Sequence, residues 1–318
     1  MKRIYYFFIF VLLSLFLLLS CENNDNKLPK IGIIQISEDP VLDIAREELI
    51  STLKEAGYED GKNIAIDYKN AQGEISDIQI ILKSFNNKNY KMIITNGTPC
   101  MVAASTNITD IPVVFTVAFG PEQVGIVPPQ NLYGVYDPLN MDKLVEIIEN
   151  CVPNVSTIGI PYNPSEQNAE YAKNRLTEVC NKTNINVISQ TVNSPNDILP
   201  AVQSLLAKKV DVIVAAADNT VYLGLDIIAN LASKNKIPLF VSDPLQAKKG
   251  AAIGYGVNYE SWGAESGKIA VKLLNNEQVS NKIIPLEINQ LLINKTASSN
   301  QGIIIPEDIL NIADKIIP

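Results

Sequence analysis

The sequence predicts an α/β protein made of two similar lobes, each a parallel sheet flanked by helices. Three observations carry this. Short apolar runs alternate with amphipathic stretches, as βαβ units require. The alternation restarts at residue 157, with matching segments roughly 120–127 residues apart, too long a period for a solenoid. The runs break at Gly, Pro, Asn and Asp, and a helix-like stretch follows each break.

Residues 30–37 (KIGIIQIS) are apolar on both faces, as a central parallel strand should be. Residues 43–56 set Ile44, Leu49, Ile50 and Leu53 on one side, a helix that Gly57 ends. Residues 63–68 read as a second strand, and 76–86 as a helix with Ile78, Ile81, Leu82 and Phe85 on its inner face. Strand 92–95, helix 100–106 and strand 112–117 complete the first series. The second runs strand 157–161, helix 165–183, strand 186–192, helix 197–207 (Ile198, Val202 and Leu205 inward), strand 211–215, helix 219–233 and strand 238–241. A strand at 251–257, a helix at 262–274 and a strand at 286–293 supply further crossings between the lobes. The first lobe then takes 29–140 plus about 257–280, and the second 141–256 plus about 281–318.

In such a protein the carboxyl ends of the strands face a cleft that binds small ligands. Residues 91–101 (KMIITNGTPCM) carry the clearest example. The strand breaks at Asn96-Gly97, and Thr98-Pro99 opens a helix whose unpaired N–H groups, dipole and Thr98 hydroxyl suit a carboxylate. The competing reading is a plain βα turn capped by Thr98. The matched loops correspond: Asn96-Gly97-Thr98 answers Ala217-Asp218-Asn219, Phe119-Gly120-Pro121 answers Ser242-Asp243-Pro244, and Ser37-Glu38-Asp39-Pro40 answers Tyr162-Asn163-Pro164-Ser165.

Composition excludes several classes. The net charge of −8 becomes −10 once Lys2 and Arg3 leave with a leader, which argues against nucleic acid and polybasic membrane binding. With no histidine, Ser-His-Asp and Cys-His sites and histidine-bound zinc are excluded. Four cysteines without a CxxC make no disulfide framework, and Cys100, Cys151 and Cys180 read as small buried hydrophobes. No nucleophile elbow or Walker loop supports a hydrolase or transferase. No cofactor or metal is expected, and a monomer is.

Residues 1–20 read as an export signal. Met1-Lys2-Arg3 is basic, 4–19 is apolar and short for a membrane span, and Leu18-Leu19-Ser20-Cys21 resembles a bacterial lipobox. Cys21 would carry the lipid, 21–28 would be a tether, and the body would sit outside the cytoplasm.

From about 30 to 306 the chain resembles the extracytoplasmic solute-binding lipoproteins of ABC importers, in the branch typified by tryptophan and tyrosine binders. The resemblance rests on GKNIAIDYKNAQG from Gly61, Asn96-Gly97-Thr98-Pro99, Ile111-Pro112-Val113-Val114-Phe115 and Tyr162-Asn163-Pro164-Ser165-Glu166. It continues through Asp218-Asn219-Thr220-Val221, Ile237-Pro238-Leu239-Phe240, Lys249-Gly250-Ala251 and Asn258-Tyr259. The resemblance implies the type I periplasmic-binding fold, two Rossmann-like lobes joined by a three-crossing hinge. It also implies a permease and an ATPase as partners. One departure stands out. The family usually reads Val-Thr-Asp-Pro after the fourth strand, where this chain has Ala118-Phe119-Gly120-Pro121. Phe119 then either stacks on an apolar ligand group or packs the cleft wall.

Gly97 and Thr98 are expected to hold a ligand carboxylate. Asp218 reads equally as an N-cap and as the counter-charge for an ammonium, with Asn219 and Thr220 adding hydrogen bonds. Tyr162, Asn163, Ser165 and Glu166 form a polar loop that capping also explains. Asp243 and Ser37 are strand-end candidates, and Trp262 reads as packing. Opposed partners at Thr98 and Asp218 suit a zwitterion, so the expected solute is an amino acid, aromatic ones included. The alternatives are a nucleoside or sugar binder of the same fold and a sensing module for a membrane receptor.

Overall fold

The computed structural model describes residues 28–86, 89–287 and 289–318. The export signal, Cys21 and the tether up to residue 27 lie outside the described residues. Among the described residues no helix is long and apolar enough to cross a membrane.

The first lobe begins with β1 (Lys30–Gln35), α1 (Pro40–Glu55), β2 (Ala65–Asn70), α2 (Ile75–Asn86), β3 (Tyr90–Asn96), α3 (Thr98–Asn107), β4 (Val113–Phe119) and β5 (Leu132–Asp137). The second contains α4 (Met141–Cys151), β6 (Thr157–Tyr162), α5 (Gln167–Lys182), β7 (Asn186–Thr191), α6 (Ile198–Ala207), β8 (Val212–Ala215), α7 (Asn219–Leu223), α8 (Leu225–Asn235), β9 (Leu239–Val241) and β10 (Ile253–Val257). The chain ends with α9 (Tyr259–Leu274), β11 (Ile283–Pro285), β12 (Asn289–Asn294), α10 (Lys295–Asn300), α11 (Glu307–Asn311) and β13 (Lys315–Ile317).

Two sheets result, ordered β11-β5-β4-β3-β1-β2 and β13-β12-β10-β9-β8-β6-β7. Every pairing is parallel except β10 with β12. Central strands such as β3 and β8 are buried along almost their whole length, while β2 and β7 at the edges are half exposed. That is the burial a helix-covered parallel sheet imposes. The chain passes between sheets three times: after β5, after β10 and after β11. This is the two-lobe type I periplasmic-binding arrangement.

Three expectations are corrected. The run 286–293 is not one strand. Ile283 pairs with Gly134 in the first sheet, and Asn289 onward pairs with β10 in the second, so the last crossing follows β11 and not residue 280. The helix expected over 219–233 breaks at Gly224, where a Cβ would stand 2.5 Å from Ile198 Cδ1. The helix expected from Trp262 starts at Tyr259, with the Asn258 side chain accepting from Ser261 N–H. Helix α9 lies against α1 through Gly263 and Gly267, where a Cβ would meet Ala45 O at 2.2 Å and Thr52 Cβ at 2.7 Å. Only glycine permits that approach, and it fixes α9 to the first lobe.

Candidate ligand-binding cleft

The carboxyl ends of the strands meet between the lobes and enclose a cavity of about 60 Å³. A single water needs roughly 10–15 Å³ on this scale. From the first lobe Ser37, Asp39, Thr98, Phe119 and Asp137 line it. From the second come Asn168, Asp218, Asn219, Ser242, Asp243 and Gln246, and the aromatic wall holds Tyr222, Tyr259 and Trp262.

On the first lobe, Gly97 turns β3 into α3 at φ +109°, and a Cβ there would lie 2.6 Å from Ile36 Cγ2. The glycine is required by both its conformation and its space. Its N–H donates to Thr116 O (3.2 Å), so it is not free for a ligand, and Gly97 does not line the cavity. Thr98 does. Its hydroxyl oxygen accepts from Phe119 N–H (3.2 Å), which leaves the hydroxyl proton to donate. Phe119 is buried, lines the cavity and meets Tyr171 of the second lobe edge-on, ring centres 5.2 Å apart. Beneath this loop a buried network fixes its geometry. Asn96 Nδ2 donates to Gln35 Oε1 and Leu42 O (both 2.9 Å), and Arg46 joins Gln35 (2.9 Å) to Asp43.

On the second lobe, Asp218 is fully buried. Its Oδ1 accepts from Val221 N–H (2.9 Å), capping α7, and its Oδ2 accepts from Asn163 N–H (2.6 Å). Each oxygen keeps a lone pair. Burial and the neighbouring Glu166 carboxylate push the Asp218 carboxyl well above the usual range. Glu166 does not line the cavity. It accepts from Thr220 N–H (3.0 Å) and hydroxyl (2.7 Å), and from Asn219 N–H (3.2 Å) and Nδ2 (2.5 Å), clamping the start of α7. Asn163 and Thr220 also lie behind the wall, joined by Asn163 Nδ2 to Thr220 Oγ1 (2.8 Å). Ser165 is exposed and donates its N–H to Asn163 Oδ1 (2.9 Å). Tyr162 is half-buried under Lys173 Nζ, 4.8 Å from the ring centre. Thus Ser37, Thr98, Phe119, Asp218, Asn219 and Asp243 reach the cavity, while Gly97, Tyr162, Asn163, Ser165, Glu166 and Thr220 support its walls.

The cavity is rich in acceptors. Burial pushes the Asp137 carboxyl up to about 7, and burial with nearby Asp39 does the same for Asp243. Asn168 Oδ1 and Gln246 Oε1 are buried without a hydrogen-bond partner. Among the described residues no arginine or lysine lines the cavity. Such a site favours a ligand that brings hydrogen-bond donors and positive charge. The strand-end loops point to this site from sequence, but Asp137, Asn168, Gln246 and Tyr222 carry no motif. They converge only through the topology. Trp262 combines both roles, lining the cavity while its Nε1 donates to Val135 O (2.7 Å). Val117 (φ +48°) and Ala217 (φ +44°), one on each lobe, also line the cavity in the left-handed region. A β-branched residue there is strained, as ligand sites often are.

Comparison with known proteins gives a consistent result. The ABC transporter substrate binding protein family matches residues 30–317. A tyrosine-binding protein of Clostridioides difficile (strain R20291) is 30% identical over 313 residues, 92% of this chain and 90% of that protein. An ABC domain from Streptococcus pneumonia in complex with L-Trp is 26% identical, with a TM-score of 0.86 over 92% of this chain and all of the other. A ligand-free, open substrate-binding protein with adhesive properties from Clostridium difficile is 31% identical, with a TM-score of 0.68 over 91% and 99%. The L-Trp complex thus superposes better than the ligand-free, open structure despite its lower identity.

Proposed function

The chain belongs to the ABC transporter substrate-binding protein family, whose members bind solutes and are not enzymes, and from that premise we propose that its solute is an amino acid with an aromatic side chain. The ammonium sits among the free lone pairs of Asp218 and the neighbouring acceptors. The carboxylate takes the Thr98 hydroxyl, and the side chain lies along Phe119 and the Tyr222, Tyr259 and Trp262 wall. The observation that carries this is the meeting of hydroxyls and buried carboxylates in one cavity: Ser37 and Thr98 on the first lobe, with Asp218 and Asp243 on the second and Asp39 and Asp137 on the first. The tyrosine-binding relative and the L-Trp complex support the aromatic class.

In the same reading the protein works outside the cytoplasm, held by a lipid on Cys21, and hands its solute to a permease driven by an ATPase. Two measurements test it. Calorimetric titration of residues 28–318 with aromatic and aliphatic amino acids, sugars and nucleosides should give saturable binding to the aromatic amino acids. Binding only to a sugar or nucleoside overturns the solute class. Labelling cells with a radioactive fatty acid should mark the full chain and not Cys21→Ser, and equal label in both removes the anchor.

A further inference from the structure

Asp39, at the start of α1 in the first lobe, makes two kinds of bond. Its Oδ1 caps the helix, accepting from Val41 N–H (2.8 Å). Its Oδ2 reaches across the cleft to the second lobe, accepting from Lys249 Nζ (3.0 Å) and Gln246 Nε2 (3.2 Å). Both partners lie in the 3-10 turn Pro244–Lys249, between β9 and β10. Asp39 is buried and Lys249 about one-third exposed, so the ion pair is only partly screened. Gln246 lines the cavity and is 1% exposed, and its other amide atom, Oε1, is buried with no hydrogen-bond partner. One planar amide on the cavity wall thus holds the opposite lobe with its nitrogen and keeps an unmet acceptor, its oxygen.

We propose that Gln246 is a solute-binding residue that couples occupancy to lobe closure, with the Asp39–Lys249 pair as the latch it completes. An N–H donor from the solute satisfies Oε1 and polarises the amide, which strengthens the Nε2 bond to Asp39. Lys249 lies outside the cavity wall, so it contributes through the fraction of molecules that are closed. A change in that fraction scales the apparent affinity of every solute by the same factor. The inference rests on the amino-acid reading above for its probes, L-tyrosine and L-tryptophan.

The test is calorimetric titration of the parent, Lys249→Met, Lys249→Arg, Gln246→Met and the double methionine variant, with both amino acids. Lys249→Met should bind each roughly three- to tenfold more weakly, by the worth of one hydrogen bond. The factor should be equal for the two, and Lys249→Arg should restore it. Gln246→Met should lose at least tenfold, and the double variant should lose less than the product of the two, because both act through Asp39. Parent-like affinity in Lys249→Met, or losses that simply multiply, overturns the latch. If the parent binds neither probe, the amino-acid reading fails on its own. Small-angle scattering without solute then judges the latch: a larger radius of gyration in Lys249→Met than in the parent upholds it, and equal radii overturn it.

Discussion

The two lobes present matched loops to one cavity and build them by opposite means. The first uses conformation. Gly97 takes a backbone setting that excludes a side chain, and Asn96 and Gln35, with the Arg46–Asp43 pair behind them, brace it from below. The second uses charge. Asp218 and Glu166 are buried side by side and draw backbone and side-chain donors onto themselves. A neutral, rigid loop offers a hydroxyl at little electrostatic cost. A loop held by carboxylates keeps excess negative charge next to the cleft, where a cation relieves it. Repeating one supersecondary unit twice has therefore yielded two differently braced loops, Thr98 presenting a hydroxyl to the cavity and Asp218 a carboxylate.

Four changes break or sharpen this contrast, the largest first. Glu166→Ala leaves the donors at the start of α7 without an acceptor. We expect a loss of about 2–4 kcal/mol in stability, from the cost of stranding buried donors, read by urea unfolding. Asp218→Asn should weaken amino-acid binding roughly ten- to a hundredfold, the worth of a charged hydrogen bond, read by calorimetry. Read from sequence as a cap that asparagine can also make, Asp218 predicts a ligand-free stability that barely moves. The structure predicts a drop of about 1–3 kcal/mol, because both oxygens accept from backbone N–H groups and an amide nitrogen cannot replace one. Thr98→Val removes the acceptor of Phe119 N–H and the hydroxyl donor together. It should cost about 1 kcal/mol in stability and several-fold in affinity, measured by unfolding and titration on the same sample.

The smallest effect is a pH dependence. Asp137 and Asp243, pushed up to about 7, bind protons in the folded state that they release when unfolded, where a carboxyl titrates near pH 4. Their contribution to ligand-free stability is greatest below about pH 4 and falls as pH rises to about 7, levelling above. Affinity for an ammonium should rise over the same range, since the ligand favours the ionised carboxylates. Urea unfolding and titration at pH 5, 6, 7 and 8 check both slopes, and parallel slopes of the same sign would contradict the assignment.

The fold was largely legible because parallel strands are apolar on both faces and the helices between them keep one apolar stripe. Some of what escaped had weak periodicity, but α4 did not: Met141, Leu144, Val145 and Ile148 recur at helical spacing. In β5, Gly134 at φ +156° lies against Phe115 and Pro138 follows the strand, so a glycine and a proline interrupt its apolar run. β11 has three residues, too few for any period. At the site, position was easier to read than role. Asp218, Glu166 and Asn163 all lie at strand ends, yet only Asp218 reaches the cavity, because the carboxylate of Glu166 is drawn inward by the donors of α7. That competition is decided by distances between residues 53 and 54 apart in sequence, which no local motif encodes.

The three passages between the sheets have a consequence for the order of assembly. The first lobe lacks its edge strand β11 and the helix α9 until residue 285 has been made, and the second lacks β12 and β13 until residue 317. A chain delivered amino end first therefore cannot finish either lobe before most of the other has emerged. Its folding is governed by late, long-range pairings, which are slow and leave apolar edges open in the meantime. Such a polypeptide reaches its final packing only when its last residues are in place, because its topology withholds the closing strands until then.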